Sequence, residues 1–226
     1  MCRVLCYTPQ VRTTLVCLCV TTNNFDAMEL KTAIMIGPSG CGKGTQAALL
    51  KKYLEKHDPD HPVHYFQTGE KFREFMEGDK YTHRKIKEVL AEGGLAPGFL
   101  PVWIWGSLFI DGVTGDDHII TDGFPRRAEE SPMLHTALEF YERKEPTVVA
   151  FDMPDEVIVE RLVEGRKRAD DTPESVAERL KWFKRDVTLA IKFFEEHPYY
   201  KVAHINGDQT VEEVHQDVLR ALDLAL

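Results

Sequence analysis

The chain has 226 residues, 43% of them hydrophobic and 29% charged, and its formal net charge is −9. That length and balance suit a single soluble globular domain with a full core and small insertions. They exclude a dedicated nucleic-acid binder, which presents a basic face, but leave room for a local group of arginines that takes small anionic ligands.

Four of the five cysteines, Cys2, Cys6, Cys17 and Cys19, fall in the first nineteen residues, and only Cys41 follows. A disulfide framework would spread its cysteines over the fold, so the body reads as a reduced, cytoplasmic protein. The apolar run Thr14–Val20 is too short to span a bilayer. A weakly basic start and no small-residue cleavage site make it a poor signal peptide. The C-x-C at 17–19 has no second His/Cys pair to complete a metal site. The expectation is that residues 1–27 are a loosely ordered, non-native or upstream-start extension, with Met28 opening the functional domain at 28–226.

From there apolar β-branched runs alternate with helical patterns, which predicts an α/β fold with a parallel five-stranded sheet flanked by helices. The strands are expected at 31–37, 64–68, 116–125, 147–154 and 201–207, and the first helix at 43–57. Further helices are expected at 69–78, 82–92, 99–111, 128–143, 154–164, 173–196 and 210–224. The short helices at 69–92 are too polar for pure core and predict a small substrate-facing insertion, about 67–97. Trp103 and Trp105 are read as helix packing.

The first strand runs into "IGPSGCGKGTQAALL", residues 36–50. A strand, a Gly-rich turn and a helix opening at a lysine build an anion nest. Backbone N–H groups converge on phosphate oxygens, Lys43 adds a point charge and the helix N-terminus a partial one. Glycines at 37, 40, 42 and 44 let the backbone curl. The bland alternative is a Gly-rich turn with a surface lysine. The common pattern G-x-x-x-x-G-K-[ST] is met except that Gly44 fills the hydroxyl slot and Thr45 comes one place late.

G-P-S-G-C-G-K-G-T-Q, 37–46, resembles the phosphate loop of nucleoside monophosphate kinases, and of adenylate kinases in particular, where G-x-x-G-x-G-K-G-T is the usual form. The late threonine is then a variant and not damage. "QTGEKFREF", 67–75, resembles the family's acceptor element S-T-G-D-x-x-R, with Gln67 and Glu70 replacing its Ser and Asp. "TDGFPRR", 121–127, matches D-G-F-P-R, and 151–180 is similar to the family's lid region. "NGDQTVEEV", 206–214, fits a loop near the donor adenine.

The resemblance implies a P-loop kinase fold with a helical acceptor-binding insertion and a short lid, about 161–171. ATP would meet Gly37, Gly40, Cys41, Gly42, Lys43, Gly44, Thr45, Arg161 and Asp208. AMP would meet Thr68, Arg73, Leu95, Ala96, Gly123, Arg126, Glu130, Arg168 and Arg179. Lys43, Arg126, Arg161, Arg168 and Arg179 would carry catalysis, with Arg166 an additional lid candidate, and Asp122 would hold Mg²⁺ through water. Six residues separate Arg161 from Arg168 and none is Cys or His, so a zinc-bearing lid is not expected. The family's small members imply a monomer with nucleotide substrates and no nucleic-acid or membrane partner.

In adenylate kinases a glutamine four residues after the D-G-F-P-R arginine pairs with the adenine edge, whereas this chain has Glu130. An amide both donates and accepts, while a carboxylate only accepts and better suits the donors of guanine or cytosine. Thr68 and "GGLAP", 93–97, resemble the adenine-binding form instead. Two readings of Glu130 stay open: a base contact, or a helix N-terminal acid facing solvent. The favoured function is adenylate kinase, with another nucleoside monophosphate kinase as the alternative. A non-catalytic nucleotide-binding protein and a small-metabolite kinase give no reason for the acceptor and lid arginines.

Overall fold

The computed structural model describes residues 28–92, 94, 96–166 and 171–225. The expected extension, Leu95, Arg168 and the side chain of Arg166 lie outside the described residues.

The element order alternates as the sequence patterns predict. Strand β1 (Thr32–Ile36) leads to helix α1 (Lys43–His57), and β2 (Val63–Gln67) to α2 (Thr68–Met76), α3 (Tyr81–Ala91) and α4 (Phe99–Gly112). Then come β3 (His118–Asp122), α5 (Glu130–Phe140) and β4 (Thr147–Asp152). Helix α6 (Asp155–Val159) continues into a π-helical turn at Glu160–Arg166. Helix α7 (Pro173–Trp182) passes through a second π turn, Phe183–Val187, into α8 (Thr188–Glu195). Strand β5 (Lys201–Asn206) and α9 (Val211–Ala221) complete the order. The π turns were not expected, because an apolar period near four does not separate i→i+4 from i→i+5 bonding. Thr172 caps α7 with Pro173 at its first position, and Thr210 with Glu213 forms a capping box on α9.

Among the described residues five parallel strands form one sheet, ordered β2-β3-β1-β4-β5. Helices cover both faces, so β1 and β3 are buried throughout. Alternation assigns the faces. Ala33 and Met35 of β1 pack with Leu50, Leu54, Val214 and Val218 of α1 and α9. Ile34 and Ile36 pack with Trp105, Phe109, Leu134, Leu138, Ile191 and Phe194 of α4, α5 and α8. Two small clusters stand apart: Ile86, Ala96 and Leu100 between α3 and α4, and Ile158, Leu162, Val176 and Leu180 between α6, the turn that follows it and α7. The two tryptophans part company. Trp105 is buried and stacks on Phe124, but Trp103 is 57% exposed and meets Phe75 edge-on. Residues two apart on a helix cannot share a face, so both could not pack inward.

Parallel pairing sends every strand's C-terminal end to one edge. The opposite edge is closed by buried polar groups. Arg143 donates to Thr32 Oγ1 at 2.8 Å and to the carbonyl of Asp117 at 2.8 Å. His118 Nδ1 accepts the N–H of Lys31 at 2.9 Å, which places the ring proton on Nε2, bonded to Asp58 at 3.0 Å. His61 Nδ1 lies 2.8 Å from the other oxygen of Asp58. Asp58, His61 and His118 bring potential ligand atoms within 4.8 Å of one another. Through these bonds the three side chains form a hydrogen-bond relay from Lys31 to His61.

Burial holds His118 below its ordinary pKa of 6.5 against the pull of Asp58. The folded state therefore resists its protonation, and its contribution to stability is full above about pH 6.5 and is lost as pH falls below that value. Burial works to raise Asp58, but hydrogen bonds from His61 and His118 hold it below its ordinary value, which adds a further loss in stronger acid. His61 is raised, mainly by its bond to Asp58, and opposes this trend. His118→Leu strands the Lys31 N–H and one lobe of Asp58. Chemical denaturation should show a loss of about 1–3 kcal/mol at pH 7.5, with a shallower decline than wild type between pH 6.5 and 5.

Candidate active site

The loop after β1 is shaped by two kinds of glycine constraint. Gly40 and Gly42 have φ of 86° and 97°, left-handed values that residues with a Cβ adopt at a cost. Gly37 is limited by space: a Cβ there would lie 2.8 Å from Cys41 Sγ and 2.9 Å from Phe151 Cβ. Lys43 folds back across this loop and donates to the carbonyls of Gly37 at 2.7 Å and Pro38 at 2.8 Å, with Cys41 Sγ 3.7 Å away. An ammonium has three donors, so the two carbonyls locate the charge and leave capacity for an anion. The first helical bond of α1 runs from Gln46 N–H to Gly42. The amides of Lys43, Gly44 and Thr45 thus precede it and form the positive end of the helix dipole.

Asp122 ends β3 beside this loop. A Cβ on Gly44 would sit 3.6 Å from its Oδ2. The same oxygen accepts Tyr65 O–H at 2.9 Å and Gln67 Nε2 at 3.3 Å, and among the described residues no hydrogen bond occupies Oδ1. Burial, reinforced by the Asp122 charge, raises the Tyr65 phenol well above its ordinary value and keeps it a donor. A buried carboxylate with one oriented oxygen and one unoccupied oxygen fits a hard, water-retaining cation such as Mg²⁺.

The loop from Asp122 then turns into a second constellation. Thr68 Oγ1 and Arg126 Nε donate to one carbonyl, that of Gly123, at 2.9 and 2.7 Å. Gly123 has φ of 86°, and a Cβ there would lie 2.9 Å from Thr68 Oγ1. The Arg126 guanidinium stands 6.0 Å from the Trp182 ring centroid, within cation–π range. Burial pulls it below its ordinary value, with Asp122 and Glu130 opposing. Glu130 accepts the Arg126 backbone N–H at 3.1 Å and is only 2% exposed. The solvent-facing reading of Glu130 is therefore overturned: its helix turn points the carboxyl inward, where burial pushes its pKa up to about 7.

Of the remaining expected residues, Arg73 is exposed on α2 with no ion pair among the described residues, and Ala96 is buried in the insertion. Arg161 reaches the loop after β5, 3.3 Å from the Gly207 carbonyl and 3.9 Å from Asp208. Arg179 donates to Asp171 at 2.8 Å. Thr45 is exposed in the first turn of α1. Sequence reasoning missed Tyr65, which orients Asp122, and Trp182 beside Arg126. It also gave Gln67 no role, although Gln67 stands opposite Asp122 in the β2–β3 register. A depression of about 490 Å³ near Leu30, Phe140 and Tyr141 lies at the other edge of the sheet and contains none of these groups.

A family described as Adenylate kinase matches residues 35–199. Adenylate kinase of Mycobacterium tuberculosis is 31% identical over 192 residues, covering 84% of this chain and 97% of that relative. Adenylate kinase 1 of Nostoc sp. is 32% identical over 189 residues with the same coverage. Adenylate kinase of Corynebacterium aurimucosum is 30% identical over 192 residues, again covering 84% and 97%.

The two glycine constraints are separable by substitution. Gly42→Ala meets no atom within 4 Å and should cost only the left-handed strain, about 1–2 kcal/mol. Gly37→Ala overpacks the loop and should cost about 1–3 kcal/mol. Asn tolerates left-handed φ, so Gly42→Asn should recover part of the loss in thermal unfolding and Gly37→Asn should not.

Proposed function

This chain belongs to the adenylate kinase family, and we propose how its own residues divide the family's work, the reversible transfer of a phosphoryl group from ATP to AMP that gives two ADP. It is a nucleoside monophosphate kinase whose substrates are small-molecule nucleotides. The observation that carries the division is the reach of one short loop. Asp122 lies beside the donor loop, where a Cβ added to Gly44 would come within 3.6 Å of its carboxylate, while Gly123, one residue on, anchors Thr68 and Arg126 of the acceptor half.

Phosphoryl transfer asks little covalent work of a protein. It needs two nucleotides held in line and the charge on the transferring group neutralised. The donor's β- and γ-phosphates lie in the nest of Gly37, Gly40, Cys41, Gly42, Gly44 and Thr45, with Lys43 swinging its ammonium from the loop carbonyls to an oxygen. Arg73 and Arg126 hold the acceptor phosphate, and Thr68, Leu95, Ala96, Gly123 and Glu130 line the acceptor nucleotide. Arg161, Arg168 and Arg179 close over the middle, with Asp208 beside the donor. Excluding water keeps ATP from being hydrolysed, and adenylate kinases are themselves a standard example of such lid closure. No general base is required.

Adenylate kinases generally use Mg²⁺ with ATP. Here Asp122 would hold it through water, where its charge offsets that of the phosphates. The lid sequence between Arg161 and Arg168 has no Cys or His, which supports a lid without zinc. The net charge of −9 supports a protein without nucleic-acid partners, and no helix among the described residues is long and apolar enough to cross a membrane. We read it as a cytoplasmic monomer whose family domain spans 28–226. The two small apolar clusters support an acceptor insertion near 67–97 and a lid near 161–171.

Purified protein with Mg-ATP, assayed by coupled detection of ADP against AMP, GMP, CMP, UMP and dAMP, should turn over AMP fastest. Lys43→Met should lower kcat by about 10²–10³-fold with an unchanged circular dichroism spectrum and melting temperature. Substantial residual activity in that variant, or no ADP from AMP with the wild type, would overturn the reading.

A further inference from the structure

Wherever the fold described here buries an ionised carboxylate, it supplies a cation or several donors. Asp117 is buried beside Arg143 and also takes the N–H and hydroxyl of Thr114. Asp171 pairs with Arg179, and Asp122 takes Tyr65 and Gln67. Glu130 is the exception. It is as buried as these but accepts a single neutral donor, the Arg126 N–H, and among the described residues it forms no ion pair. The Arg126 guanidinium is engaged instead by the Gly123 carbonyl and the Trp182 ring, and it acts on Glu130 through charge without an ion pair. A carboxylate left this way bears most of its desolvation cost, which a proton removes.

We infer that Glu130 reads the acceptor base as a neutral carboxylic acid, and that its proton is what selects adenine. This rests on the function proposed above, in which Glu130 lines the acceptor nucleotide. A neutral carboxyl has one O–H donor and a carbonyl acceptor, the same pair an amide offers. Its O–H donates to adenine N1 and its carbonyl accepts from the N6 amine. The ionised group only accepts. It would face the N1 lone pair with its own, and would instead suit the N1–H and N2–H₂ donors of guanine. Protonation state, and not residue type alone, then decides which base fits.

Burial pushes the Glu130 pKa up to about 7, so the proton is exchanged across the physiological range. The charged groups that act on it are Arg126 and Arg127, which favour the ionised form, and Glu129, which opposes it. Arg127 in turn acts on Asp186 of the second π turn, and Arg126 faces Asp122 and Arg179. The sign is fixed by the acid form being the adenine reader: affinity for AMP is full below pH 7 and falls as pH rises through it. Bound adenine holds the proton, so the carboxyl titrates at higher pH in the complex while the fall in affinity still begins near 7.

The test is equilibrium binding of AMP and of GMP to wild type and Glu130→Gln from pH 6 to 8.5. A carboxyl titrating near 7 goes from mostly protonated to mostly ionised over that span, so the AMP dissociation constant of the wild type, divided by that of the variant, should rise about thirtyfold. The division cancels the ionisation of the AMP phosphate itself, which has a pKa near 6. GMP should move the opposite way in the wild type, and binding of ATP should show no such slope. An AMP ratio that stays flat overturns the inference while leaving the kinase reading intact. No binding or turnover of AMP by either protein at any pH removes the kinase reading, and this inference with it. Should Glu130→Gln not fold, infrared titration of the wild type gives a second readout. A protonated-carboxyl band that disappears near pH 7 and persists to higher pH with AMP supports the assignment, and its absence at pH 6 overturns it.

Discussion

In β3, Asp122 stands opposite Met35 of β1 on one side and Gln67 of β2 on the other. A parallel ladder whose two faces are both buried tolerates no slip of that register, because shifting a strand by one residue exchanges its faces. The phosphate loop starts two residues after Met35, and the acceptor helix α2 starts one residue after Gln67. The pairing thus fixes where the Gly-rich loop, the Asp122 carboxylate and helix α2 meet. It also brings Gln67 and Tyr65, two apart and on one side of β2, to the same oxygen of Asp122. The orientation of that carboxylate is therefore set by the ladder.

The far edge of the sheet holds the same register by different means. Arg143 spans Thr32, Lys31 and Asp117, while His118 ties the start of β3 to the start of β1 and to the cap of α1. These groups are buried, and each is satisfied by a partner from another element. Removing one strands the others, which costs more than the bond itself contributes. A hydrophobic plug at that edge would pack as well but would accept several strand offsets. Donors and acceptors meeting at 2.8–3.0 Å accept one. Helix α1 is held at both ends: Asp58 anchors its C-terminus, and the Gly-rich loop with Lys43 shapes its N-terminus.

Most of the framework was legible because its signals are local. The bounds of α1 follow from the Gly-rich loop before it and the polar HDPD after it, and β1, β3 and β4 announce themselves as β-branched runs. The donor loop was equally legible, since glycines with positive φ leave a spacing that survives in sequence. What sequence did not reveal depends on side-chain direction between elements. The inward turn of Glu130 is one case, because an acid in a helix's first turn serves a solvent-facing end or a buried site equally well. Lys43 was read as a phosphate ligand, and only the folded loop reveals the two carbonyls that hold it. Tyr65 and Trp182 carry no local signature at all, since they matter through Asp122 and Arg126, which lie 57 and 56 residues from them in the chain. The Asp58–His118 relay likewise joins residues 60 apart.

The two halves of the site differ in how firmly their charges are held, and that difference matters to a reaction that must run both ways. Arg126 is fixed by a 2.7 Å bond to Gly123 and by the Trp182 ring, and packs so closely on Gly123 that a Cβ there would lie 3.0 Å from its Nη2. Its position is set before any phosphate arrives, so little ordering cost remains to be met on binding. Arg161 is held loosely. Its bond to Gly207 is 3.3 Å long, its distance to Asp208 is 3.9 Å, and its side chain is 38% exposed. A pair of that kind contributes about 0–1 kcal/mol, so turning the guanidinium toward a phosphate forfeits little, and turning it back forfeits little again. The π turn that carries Arg161 is itself an imperfectly bonded stretch, packed on the donor loop where Leu162 meets Gly40. In the roles proposed above, a firmly held Arg126 would give the reaction its geometry, while a weakly committed Arg161 would let the site close over two nucleotides and still release two products.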